Sequence, residues 1–384
     1  MTILHIANSY GGTAVYTNLF SAIDTNSDNV QLIYVPLNSR NHDRVGNKMI
    51  DFRNKASLIH YSTVLKSYHR YLYGMKIHTL VRDVERRFDM SQVDVIHAGT
   101  LCLDGAVAFE LSLRHQIPYM VAVRNTDNNY YRLKWRRDYF TRILLGASRV
   151  VFISPKFKDN FLQTRVPTES LQKILSKTLV IPNGIGEIFF DNISTEHKMY
   201  DGKLCLIFVA AFYKGKGLVE TIQAIEALRE KGYQITLNAI GKGLPNRPLN
   251  AEYISQVEKL EKDKKWVKTQ PFMKPEEVIN EMRKANAFIM VSKPETFGLV
   301  YLEALSQHLP IIYAQGQGFD GFFPEGYVGY PAKAGDVESI AEKIELLINN
   351  YSTLSQNVES LNLIEEFEWN NIAKKYLSIY NSIV

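Results

Sequence analysis

Short β-rich runs alternate with longer helical patterns along the whole chain, and this alternation restricts the fold more than any other feature. It is typical of βαβ units, in which helices join parallel strands. The strands expected in the first series are Ile3–Ala7, Gln31–Val35, Asp94–Ala98, Tyr119–Val123, Arg149–Ile153 and Leu179–Ile181. Those expected in the second series are Leu204–Ala210, Gln234–Ile240, Trp266–Thr269, Ala287–Val291 and Ile311–Tyr313. The pattern restarts after the polar stretch Asn192–Gly202, which predicts an interdomain linker and two doubly wound α/β domains in tandem.

The predicted domain boundaries are residues 1–195 and 196–364. The 384 residues, 46% of them hydrophobic, are enough for two such cores. The terminal stretch 365–384 has helical periodicity, and we expect it to pack back on the first domain. Its apolar residues are Phe367, Trp369, Ile372, Tyr376 and Tyr380. Because open parallel sheets bind ligands at the carboxyl ends of their strands, two facing domains would gather the functional loops around one cleft.

Composition excludes several classes of protein. Lys and Arg number 45 against 40 Asp and Glu, and no nucleic-acid-binding motif is present, so a nucleic-acid partner is not expected. No stretch approaches the roughly 18 apolar residues of a spanning helix, and the first residues read as a strand rather than a signal peptide. Cys102 and Cys205 lack the spacing of a metal site. We therefore expect a cytoplasmic protein with reduced cysteines and no bound metal.

A glycine pair, Gly11-Gly12, follows the first strand and leads into a helix. Such a pair lets the backbone approach a ligand closely, and the free N–H groups of the helix start suit an anion. A tight turn explains the pair equally well. The segment lacks the GxGxxG spacing of dinucleotide-binding folds, which argues against an NAD or FAD enzyme.

The most specific segment follows the strand Ala287–Val291 and runs from Ser292 to Leu305. It opens a helix, so the N–H groups of Phe297, Gly298 and Leu299 are expected to be unpaired donors. Glu303 lies eight residues after Glu295, about two helical turns, so both carboxylates could face one ligand. A carboxylate within an apolar helix needs a partner, and a pair of sugar hydroxyls would provide one. In most sequences with two Glu residues at this spacing, one Glu lies at the start of the helix and the other is solvated on its far face, and neither binds a ligand.

In this segment the order Pro-Glu-x-Phe-Gly-Leu-x-x-x-Glu-Ala closely resembles the E-x7-E signature of retaining glycosyltransferases of the GT-B fold, family 4. The resemblance extends over most of the chain. Its other parts are the Gly11-Gly12 loop, Val180–Ile185, Phe208–Ala224 with Lys216-Gly217, Gly241-Lys242-Gly243 and Phe367–Trp369. It implies two Rossmann-like domains facing a central cleft, with a nucleoside diphosphate sugar bound by the second.

The resemblance also implies roles for individual residues. Glu295 would contact the donor sugar and Glu303 the nucleotide ribose. Lys216 would neutralise the diphosphate as it departs, so that neither metal nor cofactor is needed. The remaining donor-site positions would be Gly11, Gly12, Asn183, Lys214, Gly241, Gln270, Thr296, Phe297, Gly298 and Leu299. A UDP-sugar is expected rather than a GDP-sugar. These residues do not identify the sugar or the acceptor.

Two positions depart from the family pattern. Ala210-Ala211 stands where relatives usually carry Gly-Arg, so one cation at the diphosphate is missing, and Lys214 is a candidate substitute. The loop Arg124-Asn125-Thr126-Asp127 stands where many relatives have a His that contacts the sugar. Arg124 could contact phosphate, and Asn125 or Asp127 could bond a hydroxyl, so that Arg124 and Asp127 are candidate catalytic residues. Alternatively, Arg124 and Asp127 could form a surface ion pair. His97 ends a strand and is expected in the core rather than the cleft.

Basic and aromatic residues are interleaved over Arg40–Arg87 and again over Tyr130–Arg137. This mixture suits the surface of an anionic bilayer, although a solvated helix face would look the same. We therefore predict a peripheral protein on the inner face of the membrane. Its expected activity is transfer of a hexose-type sugar to a lipid-linked or polysaccharide acceptor with the anomeric configuration retained. The alternatives are a nucleotide-sugar epimerase or hydrolase on the same fold, and a catalytically silent binding subunit.

Overall fold

The computed structural model describes residues 1–127, 130, 134–243 and 251–384, and it divides the chain into two compact units. The first unit comprises Met1–Ile153, Phe157–Gly184 and Trp369–Val384, and the second comprises Ser154–Lys156 and Ile185–Glu368. Both are α/β units built on one parallel sheet, as predicted. Among the described residues, no helix combines the length and the apolar character that crossing a membrane requires.

The first unit contains a seven-stranded sheet in the order β3-β2-β1-β4-β5-β6-β7, with all neighbours parallel. Its strands are β1 (Thr2–Ile6), β2 (Val30–Pro36), β3 (Leu58–Ser62), β4 (Val95–Ala98), β5 (Tyr119–Val123), β6 (Arg149–Phe152) and β7 (Thr178–Val180). The inner strands are apolar almost without interruption because helices cover both faces of the sheet, and every residue of β4 and β5 is buried.

The helices of this part of the chain are α1 (Ala14–Asn26), α2 (Tyr73–Arg87), α3 (Ala106–His115), α4 (Arg137–Gly146), α5 (Pro155–Arg165) and α6 (Thr168–Leu175). A five-residue π turn, Leu101–Gly105, precedes α3. The terminal helix α15 (Trp369–Ile383) also belongs to the first unit. Its buried residues Ile372, Tyr376 and Tyr380 share a core with Leu19 and Phe20 of α1.

The second unit contains a six-stranded sheet in the order β10-β9-β8-β11-β12-β13, again parallel throughout. Its strands are β8 (Lys203–Val209), β9 (Gln234–Lys242), β10 (Val267–Pro271), β11 (Ala287–Met290), β12 (Ile311–Ala314) and β13 (Gly329–Ala332). Its helices are α7 (Glu187–Asp191), α8 (Leu218–Glu230), α9 (Ala251–Asp263), α10 (Pro275–Arg283), α11 (Leu299–Ser306), α12 (Val337–Asn349), α13 (Tyr351–Glu359) and α14 (Leu363–Phe367).

The stretch Asn192–Gly202 is not a linker between the two units, because the change from the first unit to the second falls at Gly184 and Ile185. The stretch packs on the second unit instead. The Ser194 N–H donates to the Ser306 carbonyl (2.9 Å), and the buried Lys198 ammonium donates to the Arg283 carbonyl. The stretch is therefore attached to the second unit by hydrogen bonds to main-chain carbonyl groups, although its composition is polar. The segment that rejoins the first unit begins at Trp369 rather than at residue 365.

Candidate functional site

In the second unit, three loops meet where β8, β11 and β12 end. The loop after β8 carries Lys216, the loop after β11 carries Glu295, and the loop after β12 carries Gln317. Two hydrogen bonds from main-chain N–H groups join them: the Lys293 N–H donates to the Gly215 carbonyl (2.7 Å), and the Glu295 N–H donates to the side-chain Oε1 of Gln317 (3.1 Å). This is the edge at which parallel sheets bind ligands. Gln317 could not be predicted from the sequence, because its partner Glu295 lies in another loop more than 20 residues away.

The carboxylate of Glu295 is held on three sides. Lys216 Nζ lies 2.6 Å from Glu295 Oε2, and the Ser292 hydroxyl donates to the same oxygen at 3.0 Å. The Thr296 N–H donates to Oε1, also at 3.0 Å. The side chains of Lys216 and Glu295 are only 16% and 12% exposed, so their ion pair is less screened than one in open water. The structure thus brings together two residues that the resemblance assigned to the donor.

Glu295 does not lie on the helix, contrary to the two-turn spacing argument. α11 begins at Leu299, and Glu295 belongs to the preceding loop. Gly298 turns the chain into the helix at φ +83°, where a Cβ would also lie 2.3 Å from the Tyr301 ring. No side chain of the described residues caps this helix, so its first N–H groups are donors for a ligand. The Phe297 ring is buried, so only the main-chain groups of this residue are available at the loop.

Glu303 lies within α11 and is half-buried. Burial raises the pKa of its carboxyl group to about 7. No donor among the described residues bonds to this carboxylate. An ionised group in this position is costly until a ligand supplies hydrogen-bond donors, as a pair of ribose hydroxyls would.

Other predicted donor-site residues of the second unit have structural roles. The Gln270 amide donates to Asn238 Oδ1 (2.8 Å) and to Glu281 Oε2 (3.1 Å), so its side chain ties β10 to its neighbours. Gly241 has φ +123°, and a Cβ there would lie 2.2 Å from the Ala210 carbonyl oxygen. Glycine at 241 is therefore required by strand packing. Lys214 is exposed in the turn that precedes Lys216.

In the first unit, the predicted surface ion pair between Arg124 and Asp127 is replaced by a buried arrangement. The Asp127 carboxylate accepts the main-chain N–H groups of Arg124 (2.8 Å), Cys102 (2.8 Å) and Leu101 (3.1 Å). Burial raises the pKa of Asp127, and these three bonds oppose that rise. The side chain is 1% exposed, and through these bonds it holds two loops together. The catalytic role of Asp127 stays a prediction.

Arg124 is 8% exposed and follows β5. Its Nη1 donates to Asn183 Oδ1 at 3.2 Å, which joins two predicted site residues from the ends of β5 and β7. Its Nε lies 3.4 Å from the Gly99 carbonyl. The guanidinium is thus oriented at the carboxyl edge of the first sheet, and Arg124 and Asn183 stay predicted site residues.

The predicted glycine pair forms a short 3-10 turn before α1, with Gly11 buried and Gly12 exposed. A Cβ on Gly12 would lie 3.0 Å from a terminal nitrogen of Arg44, so a guanidinium borders this turn. Asn47 Nδ2 donates to the Gly11 carbonyl at 2.9 Å. Arg44 and Asn47 could not be found from sequence because more than 30 residues separate them from the turn.

Asp104 is a buried carboxyl group that the sequence reasoning missed. It accepts from the Asn8 amide (2.9 Å) and the Thr100 hydroxyl (3.0 Å), and so joins the loops after β1 and β4. Burial raises its pKa to about 7 against the effect of these bonds. His97 is in the core, as expected: it is 1% exposed, and its Nδ1 lies 2.8 Å from the Tyr380 hydroxyl.

The basic and aromatic segment Arg40–Arg87 is not one uniform surface. Phe52 is buried, Tyr61 lies in the missed strand β3, and the Lys76 ammonium is buried near Asn38. Exposed basic residues occur along most of the segment, whereas exposed aromatic and large apolar residues accompany them at the start of α2. The group at the start of α2 consists of Lys66, Tyr68, Arg70, Tyr71, Leu72 and Met75. In the second cluster, Tyr131, Arg132 and Leu133 lie outside the described residues.

Comparison with family models agrees with this architecture. Residues 189–360 match the model described as "Glycosyl transferases group 1", and residues 11–186 match the model described as "Glycosyltransferase Family 4". The chain is 24% identical over 316 residues to an alpha-monoglucosyldiacylglycerol synthase of Acholeplasma laidlawii, covering 77% of this chain and 75% of the relative.

A second relative is the capsular polysaccharide biosynthesis glycosyltransferase CapM of Staphylococcus aureus, which is 28% identical over 212 residues. That match covers 54% of this chain and 53% of CapM. Among solved structures, Anabaena HepE in complex with UDP-glucose is similar with a TM-score of 0.65 and 16% identity, covering 100% of each chain. This likeness confirms the fold class, two Rossmann-like domains of the GT-B type.

Proposed function

Because the chain belongs to the group 1 glycosyltransferases, we propose that it transfers a hexose-type sugar from a nucleoside diphosphate sugar. UDP is the favoured nucleotide, and the acceptor is lipid-linked or a polysaccharide. The anomeric configuration is retained. The observation that carries the proposal is the Lys216–Glu295 pair, with an N–O distance of 2.6 Å, beside the uncapped start of α11.

Each residue of this site has a chemical task in the proposed transfer. The ammonium of Lys216 and the N–H groups at the start of α11 stabilise the negative charge that develops on the departing diphosphate. The carboxylate of Glu295 holds Lys216 in place and lies where a donor sugar would bond to it. Glu303 accepts the ribose hydroxyls. In the same-face substitution, the bond between C1 of the sugar and the diphosphate oxygen breaks through an oxocarbenium-like state. The acceptor oxygen then bonds to C1 on the same face, and the departing diphosphate accepts the proton of the acceptor hydroxyl.

The names of relatives support the choice of donor and acceptor. Anabaena HepE was solved with UDP-glucose, which favours UDP as the nucleotide. The Acholeplasma relative is named for a glycolipid and the Staphylococcus relative for a capsular polysaccharide. We also propose a peripheral position on the inner face of an anionic membrane, which the exposed aromatic and basic residues at the start of α2 support, since each basic residue adds about 1 kcal/mol of attraction.

The test is a donor panel of UDP-glucose, UDP-galactose, UDP-N-acetylglucosamine and GDP-mannose, with nucleoside diphosphate release measured with and without a lipid extract. We expect release from a UDP-sugar that increases with acceptor, and NMR of the product should show the anomeric configuration of the donor. Lys216→Met should reduce turnover about 100-fold, because it removes a preorganised charge from the leaving group. Lys231→Met, at an exposed lysine in the same unit, is the matched control and should leave turnover unchanged.

Three outcomes would contradict parts of this proposal. An inverted product would exclude retention. Formation of an epimer without acceptor would favour an epimerase. Failure to bind or turn over any donor would favour a catalytically silent binding subunit. That alternative is considered because Ala211 stands in place of the family arginine.

A further inference from the structure

An open groove of about 640 Å³ lies on the first unit between the start of α2, α3 and the start of α4. Its volume is within the range of about 300–1,000 Å³ that is common for ligand sites. Its large lining side chains are Tyr71, Leu72, Tyr73, Met75, Trp135 and Tyr139. Trp135 is 72% exposed, Tyr71 71%, Met75 50% and Leu72 47%. This concentration of exposed apolar side chains in one concave place indicates a binding surface.

The groove also contains a cation with spare hydrogen-bonding capacity. The Arg136 guanidinium carbon lies 4.4 Å from the centroid of the Tyr73 ring and 4.4 Å from that of Trp135. Its Nε is buried and has no hydrogen-bond partner among the described residues. The carboxylate that lines the groove, Glu110, accepts a bond from the Tyr139 hydroxyl at 3.0 Å. The side chain as a whole lines the groove and is only half-buried, so an anionic group of a ligand there would compensate the charge of the guanidinium.

One wall of the groove is connected to the functional edge of the first sheet. The Tyr73 hydroxyl donates to the Cys102 carbonyl in the π turn Leu101–Gly105. That turn follows β4 and carries Asp104, which bonds to the loop after β1. A ligand in the groove therefore lies beside the loops at which parallel sheets bind substrates.

We propose that this groove binds a hydrocarbon chain of an anionic lipid, with the anionic head group at Arg136. This inference rests on the proposed function and narrows its acceptor to the lipid class. The apolar aromatic lining lies next to the Arg136 guanidinium, whose Nε has no partner within the described ranges. This combination is complementary to a molecule that is apolar along its chain and anionic at its head. A polysaccharide offers no chain for Leu72 and Met75, and a protein helix would not require an anion at Arg136.

The test uses calorimetric titration with dihexanoylphosphatidylglycerol below its micellar concentration. Dihexanoylphosphatidylcholine has the same chains without net charge, and glycerol 3-phosphate has the charge without chains. We expect the phosphatidylglycerol to bind about tenfold more tightly than the phosphatidylcholine, and glycerol 3-phosphate not to bind. Arg136→Gln should abolish the difference between the two lipids, because it removes the charge while retaining most of the side-chain length.

Leu72→Glu should weaken phosphatidylglycerol binding at least tenfold, because it places a carboxylate in the path of the chain. The matched control is Leu58→Glu, since Leu58 is 44% exposed in the same unit but does not line the groove. Circular dichroism checks that each variant is folded. Equal losses in the two variants, equal binding of the two lipids, or binding of glycerol 3-phosphate as tight as that of the lipid would each overturn the proposal.

UDP affinity and donor turnover measured on the same samples separate this inference from the proposed function. Donor turnover without lipid binding would overturn the groove assignment and leave sugar transfer intact. Lipid binding at the groove without binding or turnover of any nucleotide sugar would support the groove assignment and contradict sugar transfer.

Discussion

The two carboxylates of the E-x7-E segment are in different physical situations. Glu295 is satisfied by Lys216, Ser292 and a main-chain N–H, so it is a fixed part of its loop. Glu303 is half-buried with no hydrogen-bond donor in the part of the chain that the structure describes, and burial raises its pKa to about 7. Groups that lower the stability of the ligand-free protein are common at functional sites, since the bound ligand supplies the interactions that the fold itself does not provide.

This difference predicts an unusual response to Glu303→Gln. In the free protein the unfolded state ionises Glu303 near its ordinary pKa, whereas the folded state resists ionisation up to about pH 7. Stability therefore falls as the pH rises from about 4.5 to 7, and the amide removes that loss. We expect the variant to be more stable at pH 7.5 by about 1 kcal/mol in urea unfolding while binding UDP about tenfold more weakly. A loss of stability together with unchanged UDP affinity would contradict both the burial and the ribose assignment.

At this scale, proximity could be predicted where the family resemblance covers both segments. The resemblance assigned Lys216 and Glu295 to one site, and the structure brings their charged atoms within 2.6 Å, although their roles toward a donor stay a prediction. The main-chain partners of Asp127 could not be predicted, because Leu101 and Cys102 come from another loop. The residue type alone does not indicate whether main-chain donors or a ligand will form hydrogen bonds to a carboxylate.

At the scale of elements, two strands were missed, and both lie at sheet edges. β3 (Leu58–Ser62) contains two polar residues and is only partly buried, because an edge strand has one neighbour and less cover. β13 (Gly329–Ala332) contains Gly and Pro, which are poor strand formers away from an edge. The buried central strands have the continuous apolar runs that pattern recognition detects.

The terminal helix α15 meets the first sheet through a buried pair of histidines. His5 and His97 approach at 3.1 Å between their Nδ1 atoms, and Tyr380 of α15 contacts His97. Burial lowers the pKa of His97 to about 3, with a smaller contribution from Arg124. Burial and the neighbouring His97 also lower the pKa of His5 well below its usual range. Both histidines are therefore neutral in the folded protein at neutral pH.

This pair predicts a loss of stability on mild acidification. The unfolded chain takes up protons near pH 6.5 and the folded chain does not, so stability is full above that pH and declines as the pH falls below it, towards about 3. Between pH 7.5 and 5.5 each histidine should cost about 1 kcal/mol of unfolding free energy. Urea unfolding at the two pH values should show a smaller decline for His97→Gln than for the wild type. His78→Gln, at an exposed position of α2, should decline as the wild type does, and an equal decline for all three proteins would contradict this origin.

At the scale of the whole molecule, the alternation of strands and helices predicted two doubly wound domains, and the fold class is confirmed. The position of the boundary was not predictable from composition. The polar stretch Asn192–Gly202 resembles a linker, but it is attached to the second unit by the Ser194 N–H and the Lys198 ammonium. Composition shows that the stretch is polar, whereas its attachment depends on which partners its main-chain and side-chain donors meet in the fold.

The crossing of the chain at Glu368 and Trp369 has a consequence for stability. α15 follows the second unit in sequence, yet its apolar face belongs to the core of the first. Ile372→Ala should therefore lower the stability of the first unit by about 2–5 kcal/mol, because Ile372 is fully buried. Ile344→Ala in α12 is the matched substitution for the second unit, since Ile344 is also fully buried.

Hydrogen exchange followed by mass spectrometry separates the two effects, because protection reports local opening free energies. For Ile372→Ala we expect faster exchange in β1, β2 and α1, with β8, β11 and β12 unchanged. For Ile344→Ala we expect the reverse. If each substitution accelerated exchange equally in both sheets, the two units would unfold as one cooperative body. In that case the separate cores would not act as separate units of stability.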